Sequence, residues 1–366
     1  ERHGELMRAY LVLEDGSIYE GNQRGAFRET ACEVVFNTSM TGYLEILTDP
    51  SYAGQGIVMT YPIIGSYGIC REDFESFRLQ PCAFIVHELC GTPSNFRSTD
   101  TLENILLEFN IPCLSDVDTR SVVKRLRENG TMQGVITDDI SDMPRLMDVI
   151  ASFKQIRLVE SVSIQQKIML ETENTGPSVA LLDCGAKLNV GRSLIKIGCR
   201  VTQYPCFTTA EEIIAGGHDA LMLSNGPGDP ADCVEIIKEI RKLYDYGIPT
   251  LAICLGHQLL AIATGGKTEK MKYGHRGANH PVKFLHKGRT YMSSQNHGYV
   301  VCEEGLPPNA EVNCINVNDK TVEGVIYHGK PIFTVQFHPE AAPGPHSTAF
   351  LFDRFIRTVK EGRYND

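Results

Sequence analysis

The chain has 366 residues, 42% hydrophobic and 22% charged, which is enough to bury two ordinary cores and excludes a disordered protein. A net charge of -10 argues against nucleic acid as a partner, because phosphate binding needs a basic surface. The twelve cysteines are scattered and never form a C-x-x-C pair, so reduced, mostly buried thiols are expected rather than disulfides or a zinc site.

Residues 1–6 are charged and have no apolar segment like a signal peptide's, and no apolar run approaches the roughly 18 residues that span a bilayer. A cytoplasmic protein with no membrane contact is the expectation. From residue 8 to 13 the chain reads as a strand, turning at Asp15-Gly16 into a second short strand over 17–20. Further short apolar segments follow at 33–37, 57–61 and 83–89, punctuated by glycine and proline. Residues 101–109 and 119–128 have helical patterns, the second stopped by Asn129-Gly130. The first half is thus expected to be a β-rich α/β domain over 7–158.

The pattern changes between 159 and 177, where a polar stretch ends in Asn174-Thr175-Gly176-Pro177, and a linker is expected there. After it strands alternate with helices: strand 178–183, helix 189–197, strand 200–204, helix 210–215, strand 220–223, helix 231–246 and strand 250–254. This rhythm predicts a doubly wound, mostly parallel sheet over 178–366, with ligands at the carboxyl ends of its strands.

Three motifs carry chemistry. In Thr250-Leu-Ala-Ile-Cys-Leu-Gly-His-Gln258 an apolar strand ends at Cys254 and a helix begins at once, the layout of a nucleophile elbow. The helix N-terminus favours a thiolate, and the backbone N–H of Leu255 can face an oxyanion beside the sulfur. In Pro331-Ile-Phe-Thr-Val-Gln-Phe-His-Pro-Glu340 a second strand runs into His338, with Glu340 two residues on, on the same side of extended chain. A carboxylate holding one ring nitrogen turns the other toward a thiol, so Cys254, His338 and Glu340 make a candidate triad. In Ser224-Asn-Gly-Pro-Gly-Asp-Pro230 a strand opens into a glycine-flanked loop whose N–H groups near Gly226 can complete an oxyanion hole. Each motif also has a plainer reading: a buried strand-end cysteine, a strand-terminal histidine beside a surface acid, a tight turn. Their common place at strand ends favours the catalytic one. A fourth segment, 293–299, reads either as a hairpin connection or as the lining of a pocket for an amino acid's charged head group.

Two further patterns are set aside. Gly265-Gly-Lys-Thr268 has Ala261 where a phosphate-binding loop needs its first glycine, so ATP binding by this chain is not expected. His275, His280, His286 and His297 have no acidic or cysteine partner at ligand spacing, so no metal is expected.

Taken in order, Cys-Leu-Gly-His-Gln, Ser-Asn-Gly-Pro-Gly-Asp-Pro and His-Pro-Glu resemble the class I, triad-type glutamine amidotransferases, with Ala252 standing where that family often has glycine. The first half, through Glu33-Val-Val-Phe-Asn-Thr-Ser-Met-Thr-Gly-Tyr43, Ile46-Leu-Thr-Asp-Pro-Ser-Tyr52, Thr60-Tyr-Pro-Ile-Ile-Gly65, Ser94-Asn-Phe-Arg97 and Asp116-Val-Asp-Thr-Arg120, is similar to the N-terminal domain of carbamoyl-phosphate synthase small subunits. The likeness runs from about residue 7 to 355. It implies a glutaminase with Cys254, His338 and Glu340 as catalytic residues. The glutamine contacts it implies are Ser51, Gly226, Gly228, Leu255, Gln258, Asn296, Gly298 and Tyr299, the last standing where many relatives have Phe. It also implies a large-subunit partner that receives ammonia, with ATP and magnesium on that partner and no cofactor here. Two rival classes remain, a stand-alone γ-glutamyl hydrolase and a non-catalytic assembly subunit. The first predicts brisk hydrolysis of glutamyl peptides, and the second partner binding without a thioester.

Overall fold

The structure, a computed structural model, describes residues 7–155, 157–170 and 174–364. The charged residues 1–6 and part of the expected linker, 171–173, lie outside the described residues. The chain divides into two compact units, Glu1–Ile156 and Arg157–Asp366.

In the first unit strands β1 (Arg8–Leu13), β2 (Ile18–Gly25), β3 (Thr30–Asn37) and β4 (Gln55–Met59) are followed by β5 (Ile63–Ile64), β6 (Ala83–Ile85), β7 (Glu88–Leu89), β8 (Pro112–Ser115) and β9 (Met132–Thr137). Seven of them close a barrel in the order β1-β2-β8-β6-β4-β3-β9, while β5 and β7 pair apart from it. The apolar segment 83–89 therefore serves two sheets: after Val86, whose N–H still reaches the carbonyl of Leu114 at 2.9 Å, the chain leaves the barrel. Helices α1 (Tyr43–Thr48), α2 (Leu102–Glu108), α3 (Thr119–Asn129) and α4 (Met143–Ser152) accompany it. Thr101, Asp118 and Asp142 cap the last three through side-chain oxygens, which is why each helix starts one residue later.

The second unit opens with α5 (Leu158–Val162) and β10 (Ile168–Leu170), so much of the segment expected as a linker is built into this unit. Strand β10 runs antiparallel to β12 and forms the sheet edge, so its backbone groups are paired there rather than left in a solvated linker. Then come β11 (Ser178–Asp183), α6 (Leu188–Lys196), β12 (Arg200–Pro205), α7 (Ala210–Ala215), β13 (Ala220–Leu223), α8 (Val234–Tyr246), β14 (Thr250–Ile253) and α9 (Leu255–Ala263). The unit ends with β15 (Thr268–Phe284), β16 (Arg289–Val301), β17 (Ala310–Asn316), β18 (Val322–Tyr327), β19 (Ile332–Val335) and α10 (Phe350–Glu361). Helix α8 begins three residues after the position expected from its pattern, because Pro230–Asp232 form a separate 3₁₀ turn.

The sheet order is β10-β12-β11-β13-β14-β19-β18-β17-β15-β16. Strands β12, β11, β13, β14 and β19 are the parallel block, and β18 to β16 extend it as an antiparallel wing. Alternate residues of each parallel strand enter opposite cores. Ala180, Leu182, Leu221, Leu223 and Ala252 pack with α8 and α9, whereas Val179, Leu181, Ala220, Met222, Leu251 and Ile253 pack with α6 and α10. Burial on both faces explains the nearly continuous apolar strands. It also leaves β11, β13, β14 and β19 ending side by side, and the chemistry-bearing loops leave from those ends.

Candidate active site

Cys254 follows β14 directly and is the N-cap of α9. Its φ is 52° and ψ -104°, a conformation L-residues seldom adopt, and it is held there by its N–H bond to the Val335 carbonyl at 2.9 Å. Such a turn is possible only if the next backbone packs closely. A Cβ on Gly256 would stand 2.6 Å from the Leu223 carbonyl oxygen, so position 256 has room for glycine alone. The thiol is buried, and its sulfur lies 3.6 Å from the carbonyl oxygen of Asn296.

His338 and Glu340 lie just beyond β19. The His338 N–H donates to the Ser294 carbonyl at 2.9 Å, which fixes the backbone, and Nδ1 lies 2.7 Å from Glu340 Oε1. Both side chains are almost fully buried. Burial by itself would lower the proton affinity of His338, and Lys187 acts in the same direction, but the Glu340 carboxylate and the Cys254 sulfur together outweigh them, and the pKa is pushed up to about 10. For Glu340 burial acts upward, and the Lys187 ammonium and the His338 ring pull the carboxyl down to about 2. The acid is therefore ionised and the ring is held with Nδ1 protonated toward it.

Lys187, which the motifs did not single out, is 2% exposed. It leaves the carboxyl end of β11, and its Nζ is 2.9 Å from the same Glu340 oxygen that holds His338. The ammonium also donates to the carbonyls of Ala341 and, at 3.0 Å, Ala342. Asn189 donates to the Glu340 carbonyl. A lone lysine carries no motif, but its position just after a parallel strand places it at the edge where function collects.

The loop after β13 is stitched to the loop after β11: the Cys184 N–H donates to Ser224 Oγ at 2.9 Å, and Asn225 bonds both the Lys187 N–H and the Gly185 carbonyl. A Cβ on Gly226 would lie 2.0 Å from the Cys184 carbonyl oxygen and 2.7 Å from Leu255 Cδ2, which places this glycine beside the elbow. Gly228 has φ 88°, a left-handed turn position.

Residues 293–299 are not a hairpin connection, because they lie within β16, whose link to β15 is at 285–288. The strand passes over the elbow: Asn296 faces the sulfur through its carbonyl, and Gln258 Nε2 donates to the Tyr299 carbonyl at 2.8 Å and to Gln336 Oε1 at 3.0 Å. A side chain at Gly298 would come within 3.2 Å of the Arg276 guanidinium. Of the expected contacts, Asn296 thus reaches the sulfur, Gln258 ties the elbow helix to Tyr299, Gly226 lies against Leu255, and Gly298 lies beside Arg276. Ser51 belongs to the first unit, where its N–H donates to Asp49 Oδ1 at 2.9 Å. His257, between the elbow glycine and Gln258, points to Thr334 Oγ1 at 2.7 Å; burial drives its pKa down to about 3, so it stays neutral and ties α9 to β19.

Behind β16 the fold supplies what the histidine spacing lacked. Glu323 of β18 lies with His275 and His297, their potential ligand atoms within 4.8 Å of one another. Each ring nitrogen nevertheless already faces an oxygen: His275 meets Gln295 at 3.1 Å and Asp319 at 2.7 Å, and His297 meets Tyr299 at 2.8 Å and Gln295 at 2.7 Å. These hydrogen bonds link the grouping to the strand that passes over the nucleophile. Among the described residues no helix is long and apolar enough to cross a membrane.

Comparison with known proteins agrees with both halves. Residues 180–358 match the family described as "Glutamine amidotransferase class-I", and residues 11–136 match "Carbamoyl-phosphate synthase small chain, CPSase domain". The chain is 47% identical to the carbamoyl phosphate synthase small chain of Clostridium perfringens, over 96% of this chain and 99% of that one. It is 46% identical to that of Archaeoglobus fulgidus, over 98% and 100%, and 44% identical to that of Methanocaldococcus jannaschii, over 96% and 99%.

Proposed function

Because the chain belongs to the carbamoyl phosphate synthase small-chain family, we infer that it is the glutamine-hydrolysing subunit of that enzyme. It releases ammonia from glutamine and passes it to a large subunit, which makes carbamoyl phosphate with bicarbonate and ATP for arginine and pyrimidine synthesis. The observation that carries the reading is Cys254 held at φ 52° on a strand-to-helix turn, beside a histidine whose far nitrogen is fixed by Glu340 at 2.7 Å.

In the mechanism, His338 takes the thiol proton and the Cys254 sulfur attacks the side-chain amide carbon of glutamine, forming the C–S bond while the carbonyl electrons move to oxygen. The N–H groups of Leu255 and of the Gly226 to Gly228 loop hold that oxyanion, in a site whose glycines let backbone approach backbone. The oxyanion collapses, the C–N bond breaks, and His338 returns its proton to the departing ammonia. Water, deprotonated by the same imidazole, then attacks the thioester, the C–S bond breaks, and glutamate leaves. Gln258, Asn296, Gly298 and Tyr299 position the substrate. No step draws on a cofactor in this chain, and ATP and magnesium belong to the large subunit. The cytoplasm suits the twelve cysteines, all of them free thiols.

The test is twofold. Incubation with labelled glutamine followed by acid quench should trap a glutamyl adduct on Cys254, absent from Cys254→Ala. Co-expression with the large subunit of a relative should yield a complex with raised glutaminase activity. Hydrolysis that survives Cys254→Ala overturns the mechanism, and a failure to form any complex overturns the partner.

A further inference from the structure

Resting on that reading, we propose that Lys187 is a positioning residue that sets when His338 can act as the base for thioester hydrolysis. Glu340 Oε1 is shared, 2.7 Å from His338 Nδ1 and 2.9 Å from Lys187 Nζ, so one carboxylate oxygen faces two potential cations. The ammonium is buried against oxygens of Glu340 and the carbonyls of Ala341 and Ala342. It is therefore more than a counter-charge, since it also anchors the backbone that carries the acid. Those two alanines have φ of 57° and 51°, an unfavourable stretch for L-residues that an anchored ammonium helps to hold.

The electrostatic consequence differs between the two halves of the reaction. Three ionisable groups from separate elements bear on the His338 ring: Glu340 on its own loop, Lys187 after β11 and Cys254 at the elbow. While the sulfur is a thiolate, it and Glu340 both favour the imidazolium, as attack requires. Once the thioester forms, the sulfur is uncharged and only Glu340 and Lys187 remain in opposition. Deacylation needs neutral imidazole to take a proton from water. In this state burial opposes the protonated ring, while Glu340 still favours it. The like charge of Lys187 weakens that hold, and its bond to the carboxylate keeps Glu340 from transferring its full influence to the ring.

The test compares Lys187→Gln, which keeps a side-chain donor but no charge, with Lys187→Met and the charge-retaining Lys187→Arg, in the full chain with its large subunit. Thermal unfolding confirms that each variant is folded. The pH dependence of kcat for glutamine hydrolysis and the acid-quenched adduct on Cys254 are measured for each. The neutral variants should move the ascending limb of the profile to higher pH by about one unit or more, the scale of a nearby like charge. They should also accumulate adduct at neutral pH, whereas Lys187→Arg keeps the wild-type limb at whatever rate. A purely structural role predicts slower hydrolysis with an unmoved limb and no added adduct, and that result overturns the proposal. Should neither neutral variant fold, a displaced limb in Lys187→Arg overturns it. An adduct on wild type with unmoved limbs sinks the role of Lys187 alone; no adduct even on wild type sinks the underlying mechanism as well.

Discussion

The backbone N–H of His338 donates to the carbonyl of Ser294 at 2.9 Å, joining the loop after β19 to the middle of β16. In the sheet these strands are separated by β18, β17 and β15, so the antiparallel wing curls back until its last strand meets the parallel block again. That closure places His338, Asn296 and Cys254 together, and the site's behaviour under mutation follows from it.

Cys254→Ala should abolish glutamine hydrolysis, with kcat falling by on the order of 10³-fold or more, as expected when a nucleophile is removed from a unit that acts together. The fold should persist, because the sulfur's hydrogen bond to the Asn296 carbonyl is long at 3.6 Å. Glutamate release and circular dichroism measured side by side check both halves of this expectation.

Glu340→Gln should lower kcat by on the order of 10²- to 10⁴-fold, since the amide neither fixes the imidazolium nor favours it. It also removes the counter-charge of the Lys187 ammonium in a nearly water-free site, a loss of about 3–5 kcal/mol by the usual cost of breaking a buried pair. Urea unfolding of the variant against wild type measures that loss. A midpoint equal to wild type would show that the ion pair contributes nothing to the fold.

The same pair sets a pH window for stability. The Glu340 carboxyl is lowered in the folded state to about 2 from 4.5, so its contribution is complete above 4.5 and fades as pH falls toward 2. His338 is raised to about 10 from 6.5, so its contribution is complete below 6.5 and fades as pH rises toward 10. Both are at full strength only between 4.5 and 6.5. The urea midpoint of wild type should therefore fall on both sides of that interval, and in Glu340→Gln both slopes should flatten.

Gly256→Ala should impair folding and hydrolysis together, because the added methyl would stand 2.6 Å from the Leu223 carbonyl oxygen and 2.8 Å from its carbonyl carbon. A loss of more than about 1–3 kcal/mol is the scale of such overpacking. Soluble yield and thermal midpoint read it directly. By contrast, Gly265→Ala meets nothing within 4 Å but has φ 100°, so its cost is conformational and should leave hydrolysis intact.

The sequence by itself determined where the chemistry would sit. Strand periodicity, the glycine of the elbow and the two-residue spacing of His338 and Glu340 are local properties of the chain, and the structure places these residues at neighbouring strand ends. The helices after Thr101, Asp118 and Thr209 were legible for the same reason, since a cap and the pattern it starts are adjacent in sequence. Closure of the first-unit barrel was not legible, because β1 and β9 pair across most of that unit and short strands do not specify distant partners. Nor were the acidic partners of His275, the strand that covers the nucleophile, or Lys187. Each depends on contacts between residues far apart along the chain. A buried ammonium in particular looks like any surface lysine until the fold removes its water and leaves a carboxylate and two carbonyls in its place.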